Sequence, residues 1–134
     1  MSSYLPPEFQ GQENPFGISL KAETVTSAGM TLSCSQSGGT ATDELCTGPW
    51  YIIEKWTKKD GWKEVDYATT DEIGWKEVAF MVPLNSTMEW AVDWEWLYGK
   101  LPSGTYRIGK EFIDAAQDQG IEKVVYYAEF EVAG

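Results

Sequence analysis

Apolar and polar residues alternate with a period of two along most of the chain, the pattern of strands with one buried face. The heaviest such stretch places Met88, Trp90, Val92, Trp94 and Trp96 on one side and Glu89, Ala91, Asp93 and Glu95 on the other. Three tryptophans on one side predict a strand that faces a core. Phe16 to Glu23 alternates Phe16, Ile18, Leu20 and Ala22 against polar partners, and Met30 to Gln36 does the same with Met30, Leu32 and Cys34. Ser37 to Pro49 reads as a long polar loop, punctuated by Gly38-Gly39 and Gly48-Pro49. Trp50 to Thr57 is apolar on both sides at its start, which predicts a central strand and leaves its inward face open. Asp60-Gly61 is a strong hairpin signal, and Trp62 to Tyr67 returns from it as an edge strand.

The pentapeptide Gly61-Trp62-Lys63-Glu64-Val65 recurs at Gly74-Trp75-Lys76-Glu77-Val78, too short a unit for a repeat architecture. It predicts a second turn glycine followed by a strand over residues 75–82. After Tyr106 the alternation is strict, with Tyr106, Ile108, Lys110 and Phe112 on one side; Lys110 is the odd cation and Gly109 a candidate bulge. A last strand over 122–132 has Val124, Tyr126, Ala128, Phe130 and Val132 on one face. No helix is expected beyond one short turn between Trp94 and Tyr98. Seven or eight strands at this spacing predict an all-β antiparallel sandwich over residues 16–134. Residues 1–15, with three prolines, predict a flexible or edge-lying lead-in segment.

At 134 residues the chain buries a sufficient core as one domain, with seven Trp and seven Tyr as its bulkiest fillers. A net charge of −11 repels phosphate backbones and argues against a nucleic-acid partner. The chain has no histidine, so it lacks the commonest general base and transition-metal ligand, and a Ser-His-Asp or Cys-His constellation is impossible. No apolar run is long enough to cross a bilayer, and the first residues lack the pattern of a signal peptide, so the residues alone leave two expectations open, a cytoplasmic chain or an export signal upstream. Cys34 and Cys46 are a candidate disulfide, which would contribute about 3 kcal/mol by loop entropy; the alternative is two buried thiols.

Specific chemistry is thinly signalled. Asp93 and Glu95, with Glu89 nearby, have the spacing of paired carboxylates, but any solvated strand face produces it. Asp114, Asp118 and Glu122 flank a loop without the ligand spacing of a calcium site, and Asn85-Ser86-Thr87 is a glycosylation triplet that more simply marks a loop. No cofactor or metal is expected. Trp56, Trp62 and Trp75 are the candidate ligand-facing rings, with Glu54, Glu64 and Glu77 as neighbouring acceptors; core and edge packing is the competing role.

The turn Leu101-Pro102-Ser103-Gly104-Thr105-Tyr106 resembles the tyrosine corner of immunoglobulin and fibronectin type III sandwiches. There Tyr106 buries its ring and bonds back to the turn, Gly104 permits the bend, and Leu101 plugs the core. The run Glu89-Trp90, Asp93-Trp94-Glu95-Trp96-Leu97-Tyr98-Gly99-Lys100-Leu101-Pro102 and Gly104 to Phe112, with Tyr126-Tyr127-Ala128-Glu129-Phe130, resembles a family of bacterial immunoglobulin-like domains found in Gram-positive, Clostridia-type secreted or envelope-attached proteins. The resemblance implies an immunoglobulin-like sandwich, Trp90 and Trp94 in its core, an extracellular or envelope location, and a non-catalytic, monomeric module for binding, adhesion or spacing. Its partner would be a protein or a glycan. The alternative is a carbohydrate-binding module using exposed tryptophans on a sheet face.

Overall fold

The computed structural model describes residues 16–39, 41–69, 75, 79–114 and 123–133. The N-terminal segment 1–15, most of the second pentapeptide copy, Asp118 and Glu122 lie outside the described residues. Among the described residues nine strands are present, against the seven or eight expected: β1 (Ile18–Glu23), β2 (Gly29–Gln36), β3 (Leu45–Thr47), β4 (Ile52–Thr57), β5 (Gly61–Glu64), β6 (Phe80–Met81), β7 (Thr87–Asp93), β8 (Gly104–Asp114) and β9 (Lys123–Val132). One helical turn, α1 (Glu95–Tyr98), follows β7. All pairings are antiparallel and form two sheets. One is β1-β2-β7; the other is built on β8, with β9 along one edge, β3 and β4 end to end along the other, and β6 and β5 outside them.

The sandwich follows from the alternation. On β9 the predicted inward set, Val124, Tyr126, Ala128, Phe130 and Val132, is buried throughout. The core has two parts. One is centred on Trp94, Tyr106 and Phe130, the other on Phe16, Phe112 and Tyr126, and Leu20 and Trp90 pack against both. Phe130 lies between two rings, with centroids 5.4 Å from Trp94 and 5.7 Å from Tyr106. Each buried ring with a polar atom finds a backbone partner, as a low-dielectric interior requires. Trp94 Nε1 donates to the Ser27 carbonyl at 2.8 Å, which also accepts the Leu101 N–H at 2.9 Å. Tyr106 OH donates to the Pro102 carbonyl at 2.7 Å. Tyr98 OH accepts the Ile53 N–H and Tyr126 OH the Phe16 N–H.

Several expectations need correction. The Met88 stretch does not run through to Trp96. It stops at Asp93, whose carboxylate accepts the Glu95 N–H and starts α1, so Trp96 swings out and is 53% exposed. Trp94 is fully buried, but Trp90 is only partly so. The polar loop 37–49 contains a strand, β3, and β4 begins at Ile52 rather than Trp50. Gly109 is no bulge, because the register through Ile108–Ala128, Gly109–Tyr127 and Lys110–Tyr126 is continuous. Gly104 makes no left-handed bend either. It leaves room for the Lys55 side chain, whose Cε would stand 3.0 Å from a Cβ placed there.

Cys34 and Cys46 are free thiols. Cys34 points inward from β2 beside buried Leu32, whereas on β3 it is Leu45 and Thr47 that are buried, so Cys46 between them faces out. The two sulfur atoms lie on opposite sides of the larger sheet, and no bridge can form without turning a strand over. Thiol titration of the denatured, unreduced protein should therefore count two thiols. Replacing Tyr106 with Phe should lower unfolding stability by about 1–2 kcal/mol in a denaturant titration, because it leaves the Pro102 carbonyl without its donor.

Candidate functional site

The outer face of the larger sheet carries a continuous row of side chains. On β8 the inward positions are Tyr106, Ile108 and Lys110, so Arg107 and Gly109 face out. The register sets Arg107 opposite Glu54 on β4 and Glu129 on β9, and pairs Trp56 with Trp62 and Gly109 with Tyr127. A Cβ on Gly109 would come within 2.7 Å of the Tyr127 ring, so the bare glycine lets that ring lie down across β8. The guanidinium of Arg107 then stands 3.9 Å from the Tyr127 ring centroid and 4.6 Å from that of Trp62. Its Nε bonds the Glu54 carboxylate at 2.6 Å. A planar cation held between two π faces and fixed by a carboxylate has little freedom left, and it stiffens the row.

The row ends on Trp56, whose ring centroid is 5.5 Å from that of Trp62 and which is 47% exposed. The structure thus brings together two of the three predicted ligand-facing rings. Trp75 does not join them: it packs on Tyr51 at 5.4 Å and Trp96 at 5.9 Å, against the core. Glu54, expected as a free acceptor, is engaged by Arg107, and Glu77 lies outside the described residues. The Trp56 and Trp62 planes are inclined by 59°, so the pair forms a ridge and not a flat platform. The Asp93–Glu95 pair does not share a strand face, since Glu95 belongs to α1. Among the described residues no group of three metal-ligating side chains converges.

Arg107 and Tyr127 were absent from the sequence-based candidates. Their signal was present as Arg107 at an outward β8 position two residues before a glycine, but the diagonal approach of Trp62 and Tyr127 depends on three-strand register that alternation does not encode.

The inner face of β8 holds a second unusual cation. Lys110 is 7% exposed and lies between the sheets. Its ammonium donates to the Gly48 carbonyl at 2.6 Å and sits 5.1 Å from the Trp90 ring centroid. Burial lowers its pKa from 10.5 to about 8, with the neighbouring Cys34 thiol opposing that shift only in part. The thiol itself is pushed up to about 11 by burial.

Below pH 8 Lys110 is protonated in both folded and unfolded chains. Between about pH 8 and 10.5 the unfolded chain retains the proton that the folded one has released, so stability rises with pH in this window. Denaturant titrations of the native protein and Lys110→Met across the window should differ by a quantity that moves in favour of the native protein by about 3 kcal/mol. A constant difference would show that burial imposes no such penalty.

The family described as Bacterial Ig-like domain matches the chain over residues 12–131. No curated protein and no solved structure gives a significant match. The match spans both sheets, the Trp94–Tyr106 core and the outer row alike, and the chain belongs to the bacterial Ig-like domain family.

Proposed function

We propose that this chain is a non-catalytic module of the bacterial cell surface that binds a protein partner through the outer face of the larger sheet. The observation that carries the reading is the ridge of Trp56 and Trp62 beside the clamped Arg107. A half-exposed tryptophan braced by a second ring, next to an oriented arginine, combines the residue types that dominate binding energy in protein interfaces. The ring is already ordered, so docking loses little side-chain entropy. Family membership supports the non-catalytic, extracellular part of the reading, since such domains are typically modules of surface proteins. A monomer is expected, and the module would serve adhesion or spacing through this contact.

The carbohydrate alternative has weaker support. Its three expected rings are split between two places, and the two that meet are mutually inclined rather than coplanar.

Purified chain should bind to intact cells or envelope fractions of the producing organism. Trp56→Ala with Trp62→Ala should weaken that binding at least about tenfold, while Trp96→Ala leaves it unchanged. Undiminished binding by the double variant would overturn the proposed face. A glycan array is the parallel arm: retention on a polysaccharide that depends on Trp56 would replace the protein partner with a sugar.

A further inference from the structure

A cavity of about 300 Å³ opens between the sheets, where β7 faces the junction of β3 and β4. This is the lower end of the range for small-molecule sites. Its wall is largely aromatic and aliphatic: Leu32, Tyr51, Phe80, Trp90, Trp96 and Ile108, with Lys110 as the single cation among the described residues. None of these residues belongs to the outer row, so what binds here is independent of the partner proposed above.

The ammonium of Lys110 has three N–H bonds. The Gly48 carbonyl takes one, and the face of Trp90 stabilises the charge without accepting a conventional hydrogen bond. The ion pair found among the described residues is Arg107–Glu54, on the opposite side of the sheet; Lys110 makes none with them. Asp93, the acid on the cavity wall, has its carboxylate turned to the Glu95 N–H at the start of α1. The Cys34 thiol beside Lys110 stays neutral. A buried ammonium with open donors, in a cavity walled by rings, favours an anion that brings its own apolar body. The anionic end completes the bonds of Lys110, and the body replaces water against Trp90, Trp96 and Tyr51.

We propose that the cavity is a binding site for a small monocarboxylate with a flat, apolar or aromatic body, its carboxylate anchored on Lys110 and its ring held between Trp90, Trp96 and Tyr51. The size admits one ring system and a short acidic arm. A dianion is disfavoured, because among the described residues only one cation lines the wall and the chain as a whole carries a net charge of −11.

The test titrates phenylacetate and indole-3-acetate into the full isotope-labelled chain by NMR, alongside phenylacetamide and indole-3-acetamide. The acids should bind at least about tenfold more tightly than the amides, the difference expected of one charge-assisted contact. Shifts should concentrate on residues 90–96 and 108–110. Lys110→Met should remove the preference for the acid, leaving acid and amide alike; Lys110→Gln serves the same comparison should the Met variant not fold. Trp96→Ala, at an exposed position, should keep the dispersed spectrum and weaken both ligand types. Equal affinity of acid and amide for the native chain, no binding of either acid at millimolar concentration, shifts confined to the outer face, or an acid preference that survives loss of Lys110 would each overturn the proposal.

Discussion

Aromatic side chains with polar atoms fill much of this core, and the sandwich depends on giving each of those atoms a backbone partner. Trp94 illustrates the constraint. Its ring fills space between the sheets against Phe130, while its indole N–H reaches the Ser27 carbonyl in the β1–β2 turn. The same carbonyl holds the Leu101 N–H, so one oxygen ties together the turn of the first hairpin, the end of β7 and the approach to β8. A phenylalanine at this place would pack but would not fix the turn. Tyr98 and Tyr126 act likewise on Ile53 and Phe16, with their hydroxyls accepting N–H bonds that strand pairing leaves over. Burial pushes the Tyr51 and Tyr126 hydroxyls up to about 12, with the Phe16 N–H opposing the shift at Tyr126, so the rings stay neutral across the physiological range.

β8 is where the two faces of the larger sheet are kept distinct. Outward, Arg107 is neutralised by Glu54 and flattened between two rings; inward, Lys110 has a carbonyl and a ring but no carboxylate among the described residues. A paired guanidinium is a structural brace, while an under-coordinated ammonium is a place for something else to bind. The difference comes from chemistry as well as position. Guanidinium tolerates stacking and desolvation, and ammonium demands hydrogen-bond acceptors around it.

Much of this fold was legible in the alternation, because a period of two is both the geometry of a strand and the record of which side is dry. β1, β2, β9 and the hairpin at Asp60-Gly61 follow directly. Trp96 shows where the pattern misleads. Its position continues the two-residue period of β7, but the Asp93 carboxylate captures the Glu95 N–H and diverts the chain into a turn, a local bond that hydrophobicity does not register. β3 was hidden for the opposite reason: three residues between glycine-rich stretches carry too little pattern, and its pairing with Phe112–Asp114 is a tertiary choice. At the candidate site, Trp56 and Trp62 were readable as outward rings on a hairpin, whereas Trp75 shared their pentapeptide motif but found its partners in Tyr51 and Trp96. Lys110 stood out in the sequence as a charge on an inward face, yet only the placement of Gly48 and Trp90 gives that anomaly a meaning.

The gap between β3 and β4 gives the larger sheet an uneven resistance to opening. Four residues, Gly48 to Tyr51, span a stretch of β8 that only two, Lys110 and Glu111, occupy opposite them. Ladder bonds lapse there, and side chains take over: the Thr47 hydroxyl bonds the Glu111 carbonyl at 2.7 Å, and Lys110 bonds that of Gly48. Two side-chain bonds are easier to break than a run of cooperative backbone pairs, so amide protons around this junction exchange with solvent through smaller excursions than those on the β8–β9 ladder. The junction that borders the cavity is therefore easier to open than the β8–β9 ladder.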